Sequence, residues 1–145
     1  MDRAWIVAAN SQRARLFAAE DAHGPIREFA DLIDPLARQQ RQDLKSDEAG
    51  RRRAGPGPGR QGMEPEYDVK DQERDRFAKR IAQRLREGRT QDRFARLYVL
   101  GDPTLVGSLR KAMDDNTRDV VAGEVSKNLV DHSPEDIRAH LPKQL

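Results

Sequence analysis

The sequence predicts an α/β domain of the ribonuclease-H-like kind, a five-stranded mixed sheet with helices packed on it and a terminal helix. Three observations carry this. Apolar runs within the first 33 residues are separated by turn-forming residues, the pattern of an antiparallel meander. After residue 66, helical and extended patterns alternate, which implies right-handed crossovers and parallel strands. The first run, Ala4 to Ala9 (AWIVAA), is continuously apolar, as a strand buried on both faces must be. It therefore belongs at the centre, with strands 2 and 3 on one side and strands 4 and 5 on the other.

Each element has its own justification. Asn10-Ser11-Gln12 is a tight turn between the first strand and Arg13 to Glu20 (RARLFAAE). Alternation puts Ala14, Leu16 and Ala18 on one face of that second strand and Arg13, Arg15 and Phe17 on the other. His23-Gly24-Pro25 breaks it. Ile26 to Ile33 (IREFADLI) is a third strand, with Ile26, Ala30 and Leu32 expected to share a face that Glu28 interrupts; a helix remains an alternative here. Asp34-Pro35 then opens a long loop, residues 36 to 66, whose first part, Leu36 to Ala49, is polar enough for a short helical turn.

Asp68 to Arg86 is the clearest helix. Phe77, Ile81 and Leu85 recur every four residues beside Ala78 and Ala82, giving one apolar stripe. Asp68, Asp71, Glu73 and Asp75 load its first half, Lys79, Arg80, Arg84 and Arg86 its second. That order suits the helix dipole, so the charges have a structural explanation, and Gly88 is the expected stop. Phe94 to Leu100 (FARLYVL) is the fourth strand. Asp102 and Pro103 form the cap and first residue of a helix to Met113, with Leu105, Leu109, Ala112 and Met113 facing inward. Asp114-Asp115-Asn116 ends it, Asp119 to Val125 is the fifth strand, and Ser133-Pro134-Glu135-Asp136 starts a last helix to about Leu141.

At 145 residues the chain fits one domain, able to bury about 68% of its unfolded surface. Hydrophobic and charged residues each make up 36%, so the core is lean and the surface densely charged. The net charge is only +2, so any nucleic-acid footprint must come from local clustering. Without cysteine there is no disulfide, thiolate metal site or thiol nucleophile, and His23, His132 and His140 lack metal-ligand spacing. The opening MDRAWIVAAN is too short for a membrane span and lacks a signal-peptide cleavage pattern, which points to the cytoplasm.

The densest cluster lies in Ala49 to Pro65 (AGRRRAGPGPGRQGMEP). Between Gly50 and Gly62 it holds four arginines, Arg51, Arg52, Arg53 and Arg60, and no carboxylate. Gly55, Gly57, Gly59 and Gly62, with Pro56 and Pro58 between them, exclude regular structure and keep the backbone accessible. Forked guanidinium donors on such a loop suit phosphate. A solvated linker is the alternative.

Enzymatic chemistry is hard to find. The first strand, read from Ala4, has no acid, so the carboxylate cluster of a two-metal nuclease is missing. GPGPGRQG lacks the lysine and strand-to-helix setting of a phosphate loop. Ser11, Ser46, Ser108, Ser126 and Ser133 have no nucleophile-elbow sequence. His132 beside Ser133 belongs to the start of a helix rather than to a catalytic pair. No metal or cofactor is expected.

WIVAANSQRARLFAAE, DLIDPLAR, the Gly/Arg loop ending in GMEP, ERDRFA at 73 to 78 and VSKNLVDHSPEDIRAHLP together resemble the bacterial host attachment protein family over nearly the whole chain. The closing K-x-L-x-x-x-S-P-x-x-I-R-x-H-L element is the most specific part. The resemblance extends to the middle domain of archaeal and eukaryotic release factors and of Pelota. It implies the ribonuclease-H-like sheet and a Gly-Gly-Gln loop directed at the ribosomal peptidyl-transferase centre, where the glutamine helps position the water that hydrolyses peptidyl-tRNA. Gly59-Arg60-Gln61-Gly62 is the only segment that could correspond, and Arg60 occupies the place of the second glycine. Its bulk beside Gln61 favours a loop that binds RNA, on the ribosome, over one that catalyses. Two rivals stand beside this expectation: a peptidyl-tRNA hydrolase or rescue factor using Gln61, and a protein-interaction module in attachment or stress.

Overall fold

The structure, a computed structural model, describes residues 1–35 and 69–145. Its strands are β1 (Asp2–Ala9), β2 (Arg13–Ala19), β3 (Arg27–Ile33), β4 (Phe94–Gly101) and β5 (Val121–Val125). Its helices are α1 (Val69–Thr90), α2 (Pro103–Ala112), α3 (Asp115–Asp119) and α4 (Pro134–Ala139). The five strands form one open mixed sheet in the order β3-β2-β1-β4-β5. β1 is antiparallel to β2 and parallel to β4, and β4 is parallel to β5. This is the predicted arrangement, with the most apolar strand in the middle.

The alternation of β1 shows why it sits there. Trp5, Val7 and Ala9 join one core with Leu16, Phe77, Ile81, Leu85 and the inner residues of α2. Ala4, Ile6 and Ala8 join a second core on the opposite face with Phe17, Tyr98, Leu129, Ile137 and Leu141. Helices α1 and α2 therefore cover one face of the sheet, and the C-terminal segment with α4 covers the other. Phe77, Ile81 and Leu85 are buried as their four-residue spacing predicts.

Four expectations need correction. β3 is a strand, but Ile26, Ala30 and Leu32 do not share a face. The pairing shifts between Leu16, opposite Ala30, and Phe17, opposite Glu28, so Phe29 is an extra residue in β3. Ile26 consequently packs in the second core while Phe29, Ala30 and Leu32 lean on the first. A one-residue bulge inverts the alternation, and a strict period of two cannot show it.

Gly88 does not stop α1, which runs on to Thr90. A Cβ on Gly88 would lie 2.4 Å from the Trp5 ring, so the glycine is the notch that admits the indole against the helix. The turn out of α1 is made instead at Asp92, the only non-glycine residue with positive φ among those described (55°). Asp114-Asp115-Asn116 ends α2 but also starts α3, because Asp114 caps it by accepting from the Thr117 amide; β5 accordingly begins at Val121. Lastly, β1 starts at Asp2, so the strand does contain one acid, at its amino end, where it accepts a hydrogen bond from the Trp5 indole N–H.

Candidate functional site

The loop residues expected to act, Arg51, Arg52, Arg53, Arg60 and Gln61 with Gly55, Gly57, Gly59 and Gly62, lie outside the described residues, as does Asp68. What the structure defines is the platform that flanks them. Because β3 runs parallel to β1, its last residue Ile33 lies at the carboxyl end of the sheet, and α1 returns from that end toward the start of β4. In open α/β sheets this edge, beside the switch from β1 to β4, is where ligands are commonly taken.

Polar side chains at this edge are bound into the fold. Asn10 Oδ1 accepts from the Gln12 and Arg13 amides at 2.9 Å, which makes the tight turn after β1. Arg13 donates from Nε and Nη2 to the two oxygens of Asp31 at 2.9 and 2.8 Å, and from Nη1 to Asp131 at 3.0 Å. This forked bond holds the Asp31 carboxyl below the usual carboxylate range, against the smaller opposing effect of burial, and raises Arg13. Asp102 accepts from the Leu105 amide at 3.2 Å and caps α2. Gly101 lets β4 approach β1: a Cβ there would stand 2.6 Å from the Ala9 carbonyl oxygen. Among the described residues no group of three or more His, Asp or Glu could hold a metal.

The arginine on the second-core face of β2 likewise has a structural task. Arg15 is 8% exposed and clamps three segments together. Nε and Nη2 bind Glu28, while Nη1 donates to the Val130 and His132 carbonyls at 2.8 and 2.6 Å. Its partner segment contains the most specific part of the family-like motif. Leu129, Ile137 and Leu141 fill the second core, Ser133 caps α4 by accepting from the Asp136 amide, and Pro134 is its first residue. Arg138 donates to four carbonyls, of Gly24, Ala22, Pro142 and Lys143, tying α4 to the β2–β3 turn. His132 Nδ1 stands 3.5 Å from Asp136, as expected of a residue at a helix start. The motif is thus the seam that closes the second core.

Helix α1 is where the charge pattern divides. Arg74 pairs with Asp71 and Asp75 and reaches Ser108 on α2, and Arg89 pairs with Asp114 and Thr117 at α3. Asp114 is held below the usual carboxylate range, first by the Thr117 hydrogen bonds and then by Arg89. Arg80 donates to the Ile33 carbonyl at 3.0 Å, setting the end of β3 beside the helix. Along the outer face runs a line of Gln72, Arg76, Lys79, Gln83 and Arg86, spaced four, three, four and three, all exposed, with Gln83 donating to Glu87 at 3.1 Å. Among the described residues none of Arg76, Lys79 and Arg86 enters an ion pair. At 1.5 Å per residue the line spans about 21 Å. Sequence reasoning assigned Lys79 and Arg86 to the dipole and did not single out Arg76; the signal it passed over was the 4-3-4-3 spacing of the line opposite the apolar stripe.

The fold and this edge define an α/β protein with a ribonuclease-H-like sheet, presenting a basic helix face next to an Arg/Gly segment. Residues 5–141 match the family described as protein required for attachment to host cells, and the chain belongs to that family. No curated protein matches it significantly. Among the described residues no helix is long and apolar enough to cross a membrane.

Proposed function

We propose that the chain binds RNA, on the ribosome, using the basic line of α1 and the Arg/Gly segment that precedes it as parts of one footprint. The observation that supports this most is the row of Arg76, Lys79 and Arg86, exposed and in no ion pair among the described residues, although Arg86 also acts on Asp114 from a distance, on the helix that follows residues 51 to 62 in sequence. Three exposed cations in one row, in no ion pair among the described residues, concentrate positive potential there on a chain whose net charge is only +2, and phosphate contacts dominate RNA affinity. Exposed cations are also the ones that stability needs least, since surface pairs contribute about 0–1 kcal/mol.

The resemblance to release-factor middle domains supports the same direction and supplies the rival, hydrolysis of peptidyl-tRNA through Gln61. Arg60 next to it favours binding. On this reading the link to host attachment, which the family description names, is indirect and runs through RNA. Ribosome co-sedimentation tests it. Arg51, Arg52 and Arg53 changed together to Ala, and separately Arg76, Lys79 and Arg86 to Gln, should each move the protein from pellet to supernatant without changing its melting temperature. Pelleting that survives both sets, or that persists after ribonuclease treatment, contradicts the reading. Loss of peptidyl-tRNA turnover in Gln61→Ala with association intact would establish the hydrolase instead.

A further inference from the structure

At the opposite end of the sheet, where β1, β3 and β4 begin, a cleft of about 240 Å³ is walled by Arg27, Arg84 and Arg93 over Trp5 and Phe29. Gln91 adds an amide, and Asp2 is the one carboxylate in the lining. We infer that this cleft is a binding site for a phosphomonoester.

The charge balance comes first. Asp2 accepts from the Trp5 indole at 3.2 Å, so its charge is engaged at the edge of the ring. Three guanidiniums against one carboxylate leave the lining two positive charges in excess. Among the described residues the side chains of Arg27, Arg84 and Arg93 make neither an ion pair nor a hydrogen bond; Arg84 instead lies over the rings, 5.8 Å from Trp5 and 5.6 Å from Phe29. Such stacking fixes the guanidinium plane and leaves its N–H edge free, which is how an arginine is held ready for an anion. The aromatic base is itself rigid. Trp5 is 4% exposed and lies 4.6 Å, ring to ring, from both Phe29 and Phe94, with Gly88 cut away to admit it.

These features select the ligand. A dianionic phosphate neutralises an excess of two, and its three terminal oxygens can accept from three separate forks, whereas a carboxylate offers one face and one charge. The volume sits below the usual range of about 300–1,000 Å³ for larger small-molecule sites, so the cleft suits a phosphate on a small body or a chain end rather than a dinucleotide. That chemistry occurs in free phosphate esters and at the 5′ end of a processed RNA. The cleft draws on Arg84 and Gly88 of α1, whereas the basic line is Arg76, Lys79 and Arg86 on its exposed face, so the cleft shares no side chain with the RNA footprint proposed above.

Trp5 is the only tryptophan in the chain, so its emission reports the cleft directly. The full protein is titrated at low ionic strength with inorganic phosphate, with a 5′-phosphorylated trinucleotide, and with the same trinucleotide ending in a hydroxyl. A saturable change with inorganic phosphate assigns the site to free phosphate and its small esters. A change with the phosphorylated trinucleotide alone, absent with its hydroxyl twin, assigns it to an RNA end. In either case Arg27→Gln with Arg93→Gln, both at exposed positions, should weaken binding at least about tenfold. Far-UV circular dichroism and the melting temperature of that double variant should match the parent protein, and Arg110→Gln, remote from the cleft, serves as the neutral control. The inference is overturned if no phosphate probe changes the emission, if sodium chloride at matched ionic strength gives the same change, or if the double variant titrates like the parent.

Discussion

Replacing Gly88 by Ala sets two effects of opposite sign against each other in one helix. Alanine is favoured over glycine inside a helix by about 1 kcal/mol, and Gly88 lies inside α1. By propensity alone the change should stabilise. Against it, the new methyl would stand 2.4 Å from Cη2 and Cζ3 of Trp5 and 3.2 Å from Cε1 of Phe94. The indole cannot swing aside, because Phe29 and Phe94 both lie against it and Asp2 holds its N–H. Overpacking of a filled core costs about 1–3 kcal/mol, and a contact this short belongs at the upper end. Steric cost therefore wins, by about 1–2 kcal/mol net. At roughly 2–4 °C per kcal/mol for a domain of this size, the melting temperature should fall by about 2–8 °C. Differential scanning calorimetry measures this, and a shifted Trp5 emission should accompany it. A melting temperature equal to or above that of the parent would refute the notch.

Other perturbations follow from the same contacts. Ile81→Ala should cost about 2–5 kcal/mol in urea unfolding, since Ile81 is fully buried in the first core; a loss under about 0.5 kcal/mol would mean the apolar face of α1 is misassigned. Arg15→Ala should cost about 2–3 kcal/mol, short of the 3–5 of a fully buried pair because Glu28 keeps contact with water, and hydrogen exchange should quicken around Val130; unchanged exchange there would count against the clamp. Asp31 ionises below its ordinary value of 3.8 because Arg13 stabilises the carboxylate. Its contribution is thus complete above pH 3.8 and lost as the pH falls toward the lower folded value, so Asp31→Asn should flatten the decline of stability below about pH 4. An acid limb of unchanged steepness would argue against that ion pair.

The fold was legible because its strongest signals are periodic. AWIVAA could be buried only at the centre, and Phe77, Ile81 and Leu85 could face only a sheet, so strand order and helix placement followed. The capping residues Asp102 and Ser133 were readable as local chemistry. Errors arose where one residue breaks a period or serves a distant partner. The bulge at Phe29 inverts the faces of β3, and no local rule marks it. Gly88 reads as a helix stop because its real constraint, the Trp5 ring, is 83 positions away in sequence. The arginines were the hardest. Arg15 and Arg138 spend their donors on carbonyls of remote segments, Arg84 lies on two rings, and Arg76, Lys79 and Arg86 face solvent, yet composition counts all of them alike. The cleft at the amino end draws Arg27 from β3, Arg84 from α1 and Arg93 from the turn before β4, which only the sheet order brings together.

The most direct measurement is the salt dependence of binding to a single-stranded RNA, comparing the parent protein with the Arg76→Gln, Lys79→Gln and Arg86→Gln triple variant. Each phosphate contact on a single strand contributes about −0.7 to the slope of log K against log salt concentration. If the three side chains each engage a phosphate, the variant's slope should be shallower by about 2, with its melting temperature unchanged. Equal slopes, or a parent protein whose binding does not weaken with salt, would contradict an RNA-directed role for this face.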